Sequence, residues 1–124
     1  MVDNLLQHTA QVSHICQTLL HQCGAITDNL CDVIKKIDAN ANRFSGIVSE
    51  MRSVLEGGDA SIRTLSFELR TPLAAITGFS ELILQGSFGS LSALQTEQAT
   101  AIHQHGEDLR TILETLMNNA KSSE

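Results

Sequence analysis

The chain has 124 residues, 42% of them apolar and 18% charged, with four aromatics (all Phe), a single Pro and a net charge of −6. That length suits one ordinary domain, and the acidic balance argues against a nucleic-acid binder, which needs a basic footprint, and against direct contact with an anionic membrane. No run approaches the ~18 apolar residues of a membrane span, and the N-terminus MVDNLLQHTAQ lacks the basic start and apolar block of a signal peptide, so a soluble, cytoplasmic protein is expected.

Ala, Leu, Ile, Gln, Glu and Ser dominate, and period-two runs of β-branched and aromatic residues are missing, which favours helices over strands. From Leu5 an apolar stripe runs through Thr9, Val12, Cys16, Leu19, Cys23, Ile26, Leu30, Val33 and Ile37. It continues through Ala41, Phe44, Val48 and Met51 to Leu55. The steps alternate four and three, with one doubled four between Ile37 and Phe44. Such alternation marks a helix whose seam faces a partner, and the doubled four is a stutter. The pattern predicts one long, coiled-coil-like helix over about residues 3–56, roughly 75 Å at ~1.5 Å per residue. Gly24 and Asn40-Ala41-Asn42 are its weak points, where the alternative to an extended helix is a bend or a fold-back onto the hairpin.

Gly57-Gly58 is the strongest break, and it divides the chain into an N-terminal segment (1–57) and a C-terminal one (59–124). A second helix is predicted over about 59–85, with a seam of Ile62, Leu65, Leu69, Leu73, Ile76 and Ile83. GSFGSLS, residues 86–92, is a turn whose Ser90 or Ser92 caps a third helix over about 92–121. The third helix's seam is Leu94, Ala101 or Ile102, His105, Leu109, Ile112 or Leu113, and Leu116. The expected class is all-α: an antiparallel hairpin whose apolar face is covered when two copies pair into a four-helix bundle.

The stretch LSFELRTPLAAITGFSELI, residues 65–83, carries more than periodicity. Ser66, Glu68, Leu69, Arg70, Thr71, Pro72 and Leu73, followed by Ala75-Ile76 and Gly78-Phe79-Ser80-Glu81-Leu82, stand as in an H-box. Gly89, Leu91, Gln95, Ile102, Gly106, Leu109 and Leu116 continue the match at the right spacing. Residues from about 60 to 121, half of the chain, thus resemble the dimerisation and phosphoacceptor domain of sensor histidine kinases.

The resemblance implies a homodimer in two-component signalling. It also shows two departures. Phe67 occupies the acceptor position, where a phenyl ring carries no phosphate, and no glycine-rich nucleotide box precedes Glu124. A degenerate, pseudokinase-like domain is therefore expected, with no kinase activity, no cofactor and no metal. Phe67 lies ~200° round the helix from Leu65, which turns it outward. With Arg63, Ser66 and Arg70 it would form a docking surface, together with the start of the third helix, for a response regulator or a partner histidine kinase. Pro72 removes a helix hydrogen bond to Glu68 and is expected to kink the helix, as in the family's signalling states. Glu68 and Thr71 match the family's phosphatase pair, in which the Thr hydroxyl orients the water attacking an aspartyl phosphate. Retained phosphatase action is the enzymatic alternative, and a purely structural dimerising spacer is the second.

His14, Cys16, His21 and Cys23 form an HxC pair repeated after seven residues, but side chains two apart on a helix point nearly opposite ways, against a shared metal. The three cysteines contain no CxxC pair, so no disulfide framework is expected. His103 and His105 are candidate substitute phosphoacceptors, although His105 falls on the apolar stripe.

Overall fold

The computed structural model describes residues 2–21, 28–54 and 59–122. Five helical segments follow one another: α1 (Val2–Leu20), α2 (Asp28–Val54), α3 (Asp59–Glu68), α4 (Arg70–Leu84) and α5 (Ala93–Ser122). The protein is all-α, as its composition requires. α3 and α4 are one helical path interrupted at Leu69, so the segments make a four-helix bundle.

The stripe of α1 and α2 is buried as its period demands. Leu5, Val12, Cys16, Ile37, Ala41, Phe44 and Val48 are completely covered, and Thr9, Leu19, Leu30, Val33 and Met51 nearly so. The single long helix over residues 3–56, however, is not what forms. The stripe is folded in two, and α1 and α2 pack antiparallel, with Leu5 in one cluster with Phe44, Val48 and Met51, and Leu19 in another with Leu30 and Val33. Asp38 ties the pair together, accepting hydrogen bonds from Ser13 Oγ (2.8 Å) and, one turn on, Gln17 Nε2 (2.9 Å). The physical reason is burial. An extended helix leaves its seam in water until a partner arrives, whereas the folded form buries it at once. Gly24, one proposed weak point, and the Gly57-Gly58 break lie outside the described residues. Asn40-Ala41-Asn42 does not bend the chain; Ala41 sits in the core of α2, and Asn40 Nδ2 donates to Lys36 O (2.8 Å).

The hairpin of α3–α4 and α5 has the expected seam from Leu65 onward, the side chain of Ile62 lying outside the described residues. Leu65, Leu69, Leu73, Ile76 and Ile83 are buried against Ile102, Leu109 and Leu113. Leu94, assigned to that seam, is instead 54% exposed, and Ala99 takes the inward position near the start of α5. The connection is built by its turn residues. Gly86 (φ 81°) lets the Gly86 and Ser87 N–H groups reach back to Ile83 O and Leu82 O, a Schellman closure of α4. Ser92 and Gln95 then cap α5 reciprocally: Gln95 N donates to Ser92 Oγ (3.1 Å) and Ser92 N to Gln95 Oε1 (3.0 Å).

Both core clusters mix residues of α1 and α2 with residues of the hairpin. The covering of the hairpin seam, expected from a second copy of the chain, is supplied by the chain's own first two helices. Cys31 is disulfide-bonded, which the spacing of the cysteines did not suggest. Among the described residues no helix is long and apolar enough to cross a membrane.

Candidate functional site

The site is built where α3 passes into α4. Pro72 has no N–H to offer Glu68 O, and regular helical bonding lapses one residue later, at Leu69. The path is nonetheless held: Leu69 keeps right-handed dihedrals (φ −68°, ψ −22°), its N–H donates to Leu65 O, and Leu73 N–H donates to Leu69 O. Pro72 itself is buried. Leu65 and Leu69 anchor this junction in the core and thereby turn the intervening Phe67 outward, 64% exposed.

Arg70, three residues on, lays its guanidinium 5.3 Å from the Phe67 ring centroid, within cation–π range. Its Nη2 also lies 3.6 Å from Met117 Sδ on α5. Arg70 thus joins the exposed ring to a groove of about 280 Å³ between α4 and α5, whose walls include Leu73, Thr77, Arg110, Leu113 and Met117. Arg110 is braced on its own helix by Glu107 and Glu114, each 3.7 Å from its Nε. The groove adjoins the C-terminal half of α5. The start of the third helix, expected to flank Phe67, is at the opposite end, because the hairpin is antiparallel.

Glu68 and Thr71 are both exposed beside Phe67, one on each side of the Leu69 interruption. Arg63 is helical, and its side chain lies outside the described residues. Ser66 does not join this surface. It is 1% exposed, and its Oγ has no hydrogen-bond partner among the described residues.

A second cluster of polar side chains links α1 to α5. His8 Nδ1 and His105 Nδ1 are 2.9 Å apart, and Asp108 Oδ2 lies 4.0 Å from His8 Nδ1. Burial and the facing His8 push the His105 pKa down, against the opposing pull of Asp108. His103, the other candidate acceptor, places Nδ1 3.2 Å from the buried Ser80 Oγ and Nε2 3.7 Å from Glu107. Of the HxC residues, Cys16 is buried, with its thiol pushed up to about 12 by burial and then by Asp38, while His14 and His21 are exposed. His8 and Asp108 escaped sequence reasoning. His105 and Asp108 share a face at a three-residue spacing, a usable signal, but nothing local announces His8, 97 residues away.

Residues 60–124 match the family of His Kinase A (phospho-acceptor) domains. The chain belongs to the HisKA family. Its curated relatives are histidine kinases. It is 25% identical over 115 residues to the circadian input-output histidine kinase CikA of Synechococcus elongatus, covering 93% of this chain and 15% of that protein. An uncharacterized sensor-like histidine kinase of Rhizobium meliloti is 33% identical over 112 residues, 73% of this chain and 21% of the relative. Histidine protein kinase DivJ of Caulobacter vibrioides is 38% identical over 60 residues, 48% of this chain and 10% of the relative. The chain therefore spans about a fifth or less of the length of these relatives. No solved structure matches it significantly. The HisKA segment begins within α3 and takes in α4 and α5; Phe67, Glu68, Arg70, Thr71 and Pro72 all fall inside it, and it marks the chain as a two-component signalling domain.

Proposed function

We propose that this HisKA chain is a catalytically silent regulatory module that docks the receiver domain of a response regulator on the surface around Phe67 and Arg70. The observation that carries the reading is the exposed, Arg70-stacked ring at the position where the H-box resemblance puts the phosphoacceptor. Phenylalanine has no nitrogen nucleophile, so the position is suited to contact and not to phosphoryl transfer. An aromatic ring and an Arg side by side are also the residue types that dominate interface energetics. The adjoining groove between α4 and α5 offers apolar walls from Leu73, Leu113 and Met117, with Arg70 beside them to meet an acidic group of the partner.

The family's homodimer needs a separate condition in this chain. Pairing through the hairpin seam requires α1 and α2 to leave it, so the module has two ways of completing one bundle. Which way it takes is available as an output of signalling.

One experiment tests the docking reading and its enzymatic rival together. Phosphorylated receiver domains from a panel of response regulators are mixed with the chain, and both binding and phosphate loss are followed. Docking predicts a saturable complex whose Kd rises at least about tenfold, or ~1.4 kcal/mol, in Phe67→Glu while helical content is unchanged. Equal affinity of the variant for every receiver would remove Phe67 from the interface and end this reading. Glu68 and Thr71 are exposed beside the ring, which keeps them within reach of a docked aspartyl phosphate. Phosphate loss accelerated by the chain and abolished by Thr71→Ala would make it a phosphatase instead.

A further inference from the structure

We propose that His8, His105 and Asp108 form a site for a divalent transition metal, zinc in the first instance, that clamps α1 onto α5. The two imidazoles present the same atom to each other, Nδ1 to Nδ1 at 2.9 Å, with Asp108 Oδ2 4.0 Å from that of His8. All three ligand atoms lie within 4.8 Å of one another. Zinc binds nitrogen and oxygen at about 2.0–2.2 Å, so tetrahedral neighbours around it stand roughly 3.3–3.5 Å apart. The two distances from His8 Nδ1, 2.9 Å to His105 Nδ1 and 4.0 Å to Asp108 Oδ2, bracket that spacing. Two nitrogens and one carboxylate oxygen suit zinc over magnesium or calcium, which prefer all-oxygen shells.

Two further features favour a site over a chance encounter. Gln104 Nε2 donates to the other Asp108 oxygen, Oδ1, at 3.2 Å, which orients the carboxylate and leaves Oδ2 facing the histidines. Two Nδ1 atoms facing each other at 2.9 Å cannot both be N–H donors, since the two hydrogens would meet head-on. A metal ion that accepts a lone pair from each satisfies both nitrogens. All three side chains are partly exposed, which leaves a fourth position for water. The ligands come from two helices that only the folded-back chain brings together. Occupancy would therefore hold α1 in place over the hairpin.

Zinc chloride titrated into the whole chain, followed by calorimetry and by thermal unfolding, tests the proposal. It predicts one ion per chain, a raised Tm with zinc, and a Kd at least about tenfold weaker in His8→Ala and in the near-isosteric Asp108→Asn. The exposed His14→Ala variant should bind as the unaltered chain does. Cobalt(II) should give a tetrahedral visible spectrum without the near-ultraviolet thiolate band, which separates this site from one using cysteine. No saturable binding, binding unchanged in both His8→Ala and Asp108→Asn, or a thiolate band would overturn the assignment.

Discussion

Ser66 and Phe67 are neighbours with opposite fates, and the difference follows from their register with Leu73. Ser66 stands seven residues before Leu73 and Ser80 seven after, so all three fall on one helical seam, and all three are buried. Its polarity suggested an outward side chain; its spacing dictated an inward one. Ser80 has partners in Thr77 O (3.0 Å) and His103 Nδ1 (3.2 Å). Ser66 Oγ has none among the described residues. A buried, unpartnered hydroxyl costs about 1–3 kcal/mol, and Ala is also the better helix former. Ser66→Ala should stabilise the fold by about 1 kcal/mol, seen as a higher urea midpoint with unchanged slope. A lower midpoint would mean that the hydroxyl is satisfied within the fold. Phe67, two positions from Leu65 and from Leu69, had no such conflict, and its exposure was readable from the helix period alone.

Between helices, α4 and α5 approach closely at Gly106, a buried position of α5. A Cβ placed there would lie 2.7 Å from Thr77 Cγ2 and 3.5 Å from Ile76 Cγ2. Thr77 is poorly able to yield, because its Oγ1 is shared between Leu73 O (3.1 Å) and Ala74 O (3.3 Å). Overpacking of this kind costs about 1–3 kcal/mol, against ~1 kcal/mol gained from Ala over Gly in a helix. Gly106→Ala should therefore destabilise by about 1 kcal/mol, and in a Thr77→Ser background, which removes Cγ2, the same change should become stabilising. Equal effects in both backgrounds would place the cost elsewhere. The seams of these helices were legible because a heptad records which residues face inward. It does not record which helix they face. That is why the described residues of the stripe from Leu5 to Met51 read correctly as buried yet incorrectly as one rod, and why His8, whose partners are on α5, gave no sign in the sequence. Leu94 misled for a related reason: it lies two residues after the Ser92 cap, and an apolar residue in that first turn satisfies the period while still open to water.

The fold as a whole turns on what covers the hairpin. Leu65, Leu69, Leu73, Ile76, Ile102, Leu109 and Leu113 form a face that cannot remain in water, at about 1.5–3 kcal/mol for each large side chain. In the family's resemblance that face calls for a second copy; here Leu5, Val12, Phe44 and Val48 meet it from the same chain. An intrachain partner has the advantage of effective concentration, since it is tethered and a second molecule is not. The chain should therefore run as a monomer of about 13.4 kDa by light scattering at micromolar concentration. A fragment of residues 59–124, deprived of α1 and α2, should self-associate, and adding the 1–54 segment in trans should compete with that association. Lys substitutions at Val12 and Phe44, which spoil the covering helices and leave the hairpin intact, should shift the whole chain from monomer to dimer. A stable dimer of the unaltered chain with Val12 and Phe44 still protected from hydrogen exchange would show that the copies meet on another surface. The groove along α4 lined by Ala74, Gly78 and Leu82 would then be the face to examine, because Ala74 and Leu82 are exposed there.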